Sequence, residues 1–168
     1  MDQPRPIRIL FVCMGNICRS PLAEGVFLHK ARQRGVSDRF LIDSAGTGGW
    51  HAGQPADPRM HRLAQDRGVQ LPSVARRVTR ADFAAFDLLI CMDEDNREDL
   101  LRLGAPEERV KLLLEFDPDA PVHEVPDPYY GGTDGFSLVY RLVDAACERL
   151  LDQLLAGDVP SVPRAEER

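Results

Sequence analysis

A cysteine and an arginine near the start of the chain are placed so that they could bind and transfer a phosphoryl group. They are Cys13 and Arg19, in the stretch VCMGNICRSP, where an apolar run ends at Cys13 and Ser20-Pro21 is a typical helix start. The backbone N–H groups of a compact loop that leads into a helix converge and bind tetrahedral anions. Arg19 adds a planar guanidinium that can hold two phosphate oxygens. The pattern predicts a phosphate-binding loop.

The same loop would activate the Cys13 thiol as a nucleophile. Inward-pointing amides, a helix N-terminus and an arginine lower the pKa of a cysteine from its free value of about 8.5. A thiolate beneath a bound phosphorus would attack it, and water would then hydrolyse the phosphocysteine, with Arg19 and the amides stabilising the equatorial oxygens. Gly15 permits backbone conformations that a side chain would forbid, and Asn16 tolerates positive φ. The sequence therefore predicts nucleophilic catalysis by a thiolate.

Two other interpretations of this loop are weak, and a third stays open. Cys13 and Cys18 could be half of a metal site, but no second cysteine or histidine pair has the spacing to complete it. The spacing of a nucleotide-binding Walker loop is absent. A plain strand–helix turn with a buried cysteine is the open alternative. The histidines show no ligand spacing, and His51, beside Trp50, is a distant candidate for the rim of a site.

Hydrolysis of a phosphate monoester needs an acid for the leaving oxygen, and the loop contains none. Asp127 is the candidate, because the prolines on both sides stiffen its loop and fix the direction of its carboxylate. Tyr129 and Tyr130 follow it and could line a slot for a flat substrate ring. A helix-entry turn with both tyrosines packed on the core is an equal alternative. Since Asp127 must be protonated in the first step, we expect the highest activity in mildly acidic buffer.

Two carboxylates and two cysteines lie elsewhere near the expected ends of strands and helices. Glu24 or Asp93 could orient Arg19, but each is also an ordinary helix-start carboxylate, which is the preferred interpretation of Glu24. Cys91 ends an apolar run and Cys147 lies in a helical pattern. We expect both cysteines in the core, where they act as small hydrophobic residues.

The elements that must position these residues alternate along the chain. Four near-continuous apolar runs predict buried parallel strands, and helical patterns lie between them. The runs are Ile7–Val12, Phe40–Ser44, Asp87–Met92 and Val110–Leu114, and the helices are expected at 20–35, at 57–68, from 79, at 93–103 and at 134–157. The alternation predicts an α/β fold, a doubly wound open sheet of four parallel strands flanked by helices on both faces. Ligands of such folds bind beyond the carboxyl ends of the strands, where Cys13 lies.

Length and composition indicate one domain over residues 1–168, with an ordered core of about 7–156 and a disordered tail over 157–168. The net charge of −6 argues against nucleic acid or an anionic membrane as the main partner. No apolar run approaches the roughly 20 residues of a membrane helix, and no signal peptide is recognisable. We expect a cytoplasmic monomer with free thiols.

Four stretches, VCMGNICRSP, DSAGTGGW, DLLICMDEDN and DPYYGG, together resemble the low-molecular-weight protein tyrosine phosphatase family. The similarity extends from about Ile7 to the last helix. It implies that Cys13 is the nucleophile, Arg19 the phosphate ligand, and Asp127 the acid and later the base toward the hydrolytic water. It also implies that the substrates are tyrosine-phosphorylated proteins and that no metal or organic cofactor is needed.

The resemblance assigns further residues of the site. Ser44 would support Asn16, Ser20 would hydrogen-bond the sulfur, and Cys18 would form a protective disulfide with Cys13. The family often has a histidine before the Ala-Arg pair that helps the asparagine network, and here the nearest match is Ser73, so a hydroxyl or water would replace it. The substrate-binding residues implied are Met14, Gly15, Asn16, Ile17, Cys18, Trp50, Tyr129 and Tyr130.

Other activities occur on this scaffold or would fit parts of the pattern. Arsenate reductases need further relay cysteines and normally lack the DPYY segment. Protein arginine phosphatases resemble this chain but carry threonine at the position of Ile17, where isoleucine favours an aryl ester. A non-catalytic phosphate-binding module is disfavoured because Cys13 and Asp127 are both present. The sequence therefore predicts that phosphotyrosine is the substrate.

Overall fold

The structure is a computed structural model that describes residues 4–71, 73–128 and 133–168. Its strands are β1 (Ile7–Cys13), β2 (Phe40–Gly46), β3 (Leu88–Cys91) and β4 (Val110–Leu112). They form one four-stranded sheet in the order β2-β1-β3-β4, and every neighbouring pair is parallel. The predicted fold class is confirmed. β1 lies between β2 and β3, so the chain connections run in opposite directions on its two sides. The carboxyl end of such a strand is the point where folds of this kind bind ligands.

In the described residues, five α-helices connect or follow these strands. They are α1 (Arg19–Gln33), α2 (Pro58–Asp66), α3 (Arg80–Ala85), α4 (Glu94–Arg102) and α5 (Thr133–Ala156). Single turns of 3-10 helix occur at Ser37–Arg39, Glu107–Arg109, Leu113–Phe116 and Ala165–Glu167. Within the described ranges, none of the helices has the length and apolar character that crossing a membrane requires.

Local sequence signals explain where the helices begin and end. Asp57 accepts a hydrogen bond from the Arg59 N–H at 2.8 Å, and proline occupies the first position of α2. The Thr79 N–H donates to the Asp82 carboxylate at 2.7 Å before α3. The glycines predicted to stop four helices all have positive φ, which a residue without Cβ adopts easily. They are Gly35, Gly68, Gly104 and Gly157.

The sheet separates two hydrophobic clusters, one on each face. Successive residues of β1 alternate between them, as side chains on a strand must. Ile9 and Phe11 pack in a cluster with α1 and α5, while Leu10 and Val12 pack in a cluster with α3 and α4. Helices therefore cover both faces, which explains why the strands are apolar on both sides. The predicted stripe of α5 is buried throughout, at Phe136, Val139, Val143, Ala146, Leu150 and Leu154.

Two expectations differ from the structure. β4 ends at Leu112 rather than Leu114, because the chain turns into a 3-10 helix that buries Leu113 and Leu114. The segment after Gly157, expected to be disordered, packs against the core through Val159 and Val162, both buried in the cluster that contains α5. Val159 and Val162 therefore belong to the core, which a composition-based expectation overlooks.

Candidate active site

The loop between β1 and α1 wraps around the sulfur of Cys13. Asn16, at its centre, has a φ of 57°, as the sequence predicts. This conformation turns the Asn16 N–H toward the Cys13 sulfur, at 3.2 Å from nitrogen to Sγ. The hydroxyl of Ser20, in the first turn of α1, lies 2.9 Å from the same sulfur. The sulfur therefore accepts a backbone N–H and shares a second hydrogen bond with a hydroxyl.

The side chain of Asn16 ties the loop to two other segments. Its Nδ2 donates to Ser20 Oγ at 2.8 Å and to Ser44 Oγ at 3.0 Å. Its Oδ1 accepts from the backbone N–H of Arg76 at 3.0 Å. Asn16, Ser20 and Ser44 are all buried, so each of these bonds is shielded from water. The amide therefore joins α1, β2 and the strand-like segment around Arg76 beneath the loop.

The guanidinium of Arg19 is aimed at the loop from the first residue of α1. The side chain is 3% exposed, and its Nη1 contacts Asp93 Oδ2 at 2.5 Å and donates to the Val125 carbonyl at 3.0 Å. Asp93 Oδ1 accepts from the Asn96 N–H at 2.8 Å at the start of α4. Asp93 is thus both a helix cap and the residue that orients Arg19, so the two roles left open in the sequence are filled by one carboxylate.

Asp127 lies across the site from the loop. Its Oδ2 is 3.7 Å from Arg19 Nη2, which is too long for a hydrogen bond, and its side chain is 31% exposed. The chain before it is fixed, because the buried Val125 donates its N–H to the Met92 carbonyl at 2.9 Å. An aspartate on a chain segment anchored to the end of β3 can therefore meet a ligand bound in the loop.

A cavity of about 330 Å³ opens over the loop and brings most of the predicted residues together. Trp50 forms an exposed part of its rim, with its indole directly over Gly48, where a Cβ would lie 1.8 Å from the ring. The predicted Tyr129 and Tyr130 lie outside the described residues. The cavity is lined by Cys13, Met14, Gly15, Ile17, Cys18, Arg19, Trp50, His51 and Asp127.

The glycines in and beside the loop are closely packed rather than twisted into positive φ. Gly15 does not have positive φ, contrary to the expectation, but a Cβ there would approach His51 Cδ2 to 3.1 Å. Gly46, at the end of β2, lies even closer to the loop, and a Cβ there would stand 2.7 Å from the Met14 carbonyl oxygen. Sequence reasoning missed Gly46, although two neighbouring glycines in DSAGTGGW are a signal of close backbone approach.

The cysteines other than Cys13 occupy environments that favour the neutral thiol. Burial, followed by the negative charge of Asp57, raises the pKa of Cys18 to about 12. Burial also raises the pKa of Cys91 and of Cys147, both fully enclosed in the core as predicted. The four cysteines are unpaired as thiols in the structure, and the proposed pairing of Cys18 with Cys13 stays a prediction.

Glu24 lies beneath the loop and not at a helix start. The interpretation as a helix-start carboxylate is wrong, because α1 begins at Arg19 and Glu24 is in its second turn. Its carboxylate accepts from Ser44 Oγ at 2.7 Å and also hydrogen-bonds the Ser73 hydroxyl. Burial raises the pKa of Glu24, while those two hydrogen bonds oppose the rise. Ser44, which accepts from Asn16 and donates to Glu24, therefore connects Glu24 to the asparagine network.

The described residues of the site include no cluster of side chains suited to a metal ion. Over the parts of the chain that the structure describes, no three or more His, Cys, Asp or Glu side chains come together in a way that could bind one. Arg19, the backbone N–H groups and the N-terminus of α1 supply positive potential at the loop.

The geometry is accompanied by a match of most of the chain to a known family. The model of the low molecular weight phosphotyrosine protein phosphatase family matches residues 8–159. The chain belongs to this family. The phosphatase is therefore an enzyme of the low molecular weight protein-tyrosine-phosphatase type.

Individual relatives of the phosphatase support the assignment. A low molecular weight protein-tyrosine-phosphatase of Streptomyces coelicolor is 45% identical over 86% of this chain and 91% of its own length. A crystal structure of a protein tyrosine phosphatase from Entamoeba histolytica is 40% identical, with a TM-score of 0.86 over 90% of this chain and 98% of that one. A structure of an arginine phosphatase from Drosophila is 30% identical, with a TM-score of 0.82 over 88% of this chain and 98% of that one.

Proposed function

We propose that this phosphatase hydrolyses phosphotyrosine in proteins through a phosphocysteine intermediate. The observation that carries the proposal is that Cys13, Arg19 and Asp127 line one cavity, with the Asn16 N–H donating to the Cys13 sulfur. The family supports phosphotyrosine proteins as the substrates. A cytoplasmic location and a monomeric state stay predictions from the sequence.

Substrate binding begins with the phosphate in the loop. The backbone N–H groups and the N-terminus of α1 favour an anion there, and Arg19 offers Nη2 as a further donor. Asp93 holds the guanidinium in place, so little ordering is needed when the phosphate arrives. Trp50 at the rim, and Ile17 in the wall, provide apolar surface for the substrate's aromatic ring. Tyr129 and Tyr130 are proposed to complete this slot.

In the first chemical step, the Cys13 thiolate attacks phosphorus and forms the S–P bond. The bond from phosphorus to the tyrosine oxygen breaks, and Asp127 donates its proton to that oxygen, so that neutral tyrosine leaves. Arg19 and the loop amides stabilise the charge spread over the three equatorial oxygens in the transition state.

In the second step, water replaces the sulfur on phosphorus. Asp127, now a carboxylate, accepts a proton from the attacking water, the S–P bond breaks, and inorganic phosphate and the Cys13 thiolate are released. The hydroxyl of Ser20 stabilises the departing sulfur, since it already lies 2.9 Å from Sγ. The site returns to its starting state without any other reactant.

Phosphoarginine is a second candidate substrate, because an arginine phosphatase is among the structural neighbours. The apolar, buried Ile17 in the cavity wall favours an aryl ester over a charged guanidino group. We therefore expect phosphotyrosine to be the better substrate.

The test is steady-state hydrolysis of a phosphotyrosine peptide and of free phosphoarginine by the wild-type protein and by Cys13→Ser. We expect kcat/KM to be higher for phosphotyrosine, and to fall by about three orders of magnitude or more in Cys13→Ser, because a serine hydroxyl is not ionised at neutral pH. Rapid quenching should trap a phosphate on Cys13 of the wild type. Normal turnover by the serine variant would exclude the thiolate mechanism, and preference for phosphoarginine would select the second candidate.

A further inference from the structure

The chain segment that carries Asp127 reaches the site across the surface of the molecule. Residues 121–123 are exposed, whereas Val125, two residues before Asp127, is fully buried. Between them lies Glu124, whose Oε2 accepts a hydrogen bond from the backbone N–H of Glu94 at 2.7 Å. Glu94 is the first residue of α4. The two chemical steps give Glu124 no role, so the reason for this attachment lies elsewhere.

The start of α4 is in contact with both the phosphate ligand and the acid segment. The Asp93 carboxylate holds the Arg19 guanidinium, and the next residue, Glu94, donates its N–H to Glu124. The same guanidinium donates to the carbonyl of Val125 at 3.0 Å. The position of the acid segment relative to Arg19 is therefore set at this helix start.

The hydrogen bond to Glu124 uses a donor that the helix itself cannot satisfy. The first N–H groups of an α-helix have no intrahelical partner, and a carboxylate stabilises the positive end of the helix dipole. Asp93 Oδ1 accepts the N–H of Asn96, and Glu124 accepts the N–H of Glu94. A bond between a backbone N–H and a carboxylate is also stronger than one between neutral groups. Glu124 is therefore a second acidic cap of α4, supplied by the acid segment.

The chain between this attachment and the acid is short and stiff. Only Pro126 separates Val125 from Asp127. Proline fixes its own φ and restricts the residue before it, so a shift at Glu124 is passed on to Asp127 instead of being absorbed. A general acid must lie within hydrogen-bond reach of the oxygen that it protonates, and small displacements reduce the rate.

We propose that Glu124 is a positioning residue, which docks the acid segment on the start of α4 and thereby sets the reach of Asp127 to the leaving oxygen. The inference rests on the proposed function of Asp127 as the general acid. Glu124 is not among the described residues that line the cavity, so it acts through the backbone of the segment.

The experiment measures kcat/KM for a series of aryl phosphates whose leaving groups range from good to poor. This constant reports formation of the phosphoenzyme, the step in which Asp127 protonates the leaving oxygen. In Glu124→Ala we expect a loss of about 3- to 10-fold for the poorest leaving group and of less than about twofold for the best, which needs little protonation. Glu124→Gln keeps an acceptor oxygen for the Glu94 N–H and should stay within about twofold of the wild type throughout.

The donor of the hydrogen bond can be removed separately. Proline is well accepted at the first position of a helix and has no N–H, and the extended backbone of Asp93 suits a residue before proline. Glu94→Pro should therefore give the same selective loss as Glu124→Ala, while Glu94→Ala, which keeps the N–H, should not. Adding Glu124→Ala to Glu94→Pro should cause no more than about a twofold further loss, because the bond is already absent.

Glu115 offers a matched control for the loss of a capping carboxylate. It is exposed, and its Oε1 accepts from the Leu112 N–H at 3.3 Å at the carboxyl end of β4. Glu115→Ala should leave the dependence on the leaving group unchanged. Inhibition by inorganic phosphate should stay within about twofold of the wild type in Glu124→Ala, since the loop and Arg19 are intact.

The outcomes separate the inference from the function on which it rests. An equal loss for all leaving groups in Glu124→Ala, or no loss, overturns the inference, as does a Glu124→Gln protein that is as impaired as Glu124→Ala. Asp127→Asn is measured on the same series, and an equal loss there for good and poor leaving groups contradicts the proposed acid and the inference with it. A selective loss in Asp127→Asn, Glu124→Ala and Glu94→Pro, absent from Glu124→Gln and Glu94→Ala, supports both.

Discussion

The two ends of the sheet each hold arginine next to aspartate, but the pairs differ in whether a hydrogen-bond donor remains available to a ligand. At the amino end, Asp87 accepts from Arg5 at 2.9 and 3.0 Å and from the Arg8 N–H at 2.8 Å, so both its oxygens have close cationic or amide partners. At the carboxyl end, Arg19 has Nη1 engaged by Asp93, while Nη2 is 3.7 Å from Asp127 in a cavity. The first arrangement can stabilise the fold, whereas the second keeps donor capacity for a ligand.

The comparison teaches that burial and pairing alone do not mark a functional charge. Arg19 is more buried than Arg5, with 3% against 39% of the side chain exposed, and a buried cation that retains a donor facing a cavity is poised to bind an anion. Substitutions at the carboxyl end should therefore change activity, and substitutions at the amino end should change stability. Four variants test this division.

The largest effect is expected from Arg19→Lys. Lysine keeps the positive charge but loses the planar fork that can hold Asp93 and two phosphate oxygens together. We expect kcat/KM for an aryl phosphate to fall by about a thousandfold, as when a donor to the transition state is removed.

Arg5→Lys makes the same chemical change at the amino end and is the matched control. It should leave kcat/KM within about twofold of the wild type, since Arg5 lies outside the cavity. Inhibition by inorganic phosphate, measured for both variants, should weaken in Arg19→Lys alone. Comparable activity losses in the two variants would break the division between the ends of the sheet.

The positions of the strands and helices, and the identity of the loop, could be predicted from sequence because their signals are local. Proline after Asp57 and glycine at Gly104 act within one or two residues of the element they start or stop. The loop was predictable for the same reason, because Cys13 and Arg19 lie close together in the sequence, at the two ends of one short loop.

The support beneath the loop could not be predicted, because it depends on contacts between distant parts of the chain. Glu24 meets Ser44 across 20 residues, and the Arg76 N–H meets Asn16 across 60. Neither residue type nor spacing distinguishes Glu24 from a helix-start carboxylate. The way α1 packs against β2 determines that Glu24 faces Ser44. The tail is a similar case, since Val159 and Val162 become core residues by packing against elements that precede them in the sequence.

A smaller and more selective effect is expected from Asp127→Asn. Asparagine keeps the size of the side chain but has no proton of suitable acidity, so loss of general acid catalysis should lower kcat for a phosphotyrosine peptide by about a hundredfold. An aryl phosphate with a strongly electron-withdrawing ring needs less protonation of its leaving oxygen and should lose much less. The measurement is kcat across a series of leaving groups. An equal loss for good and poor leaving groups would reassign the acid.

The smallest effect, and the clearest for the amino end, is expected from Asp87→Asn. Burial alone would raise the pKa of Asp87, but hydrogen bonds from Arg5 and Arg8 outweigh it and lower the pKa to about 2. An unfolded aspartate has a pKa of about 3.9. A lowered folded pKa contributes stability that is present above the unfolded pKa and is lost as pH falls from about 4 to about 2.

Asp87→Asn should therefore reduce the free energy of unfolding at neutral pH by about 1–2 kcal/mol, a value below the full linkage term because Arg5 is partly exposed and screened. The difference from the wild type should shrink as pH falls toward 2, because the wild-type carboxylate is then protonated as well. Urea unfolding at several pH values measures this difference, and kcat/KM per folded molecule should not change. A difference that is constant with pH would mean that packing around Asp87, rather than its charge, holds the amino end together. Loss of activity without loss of stability would show that the two ends of the sheet are coupled.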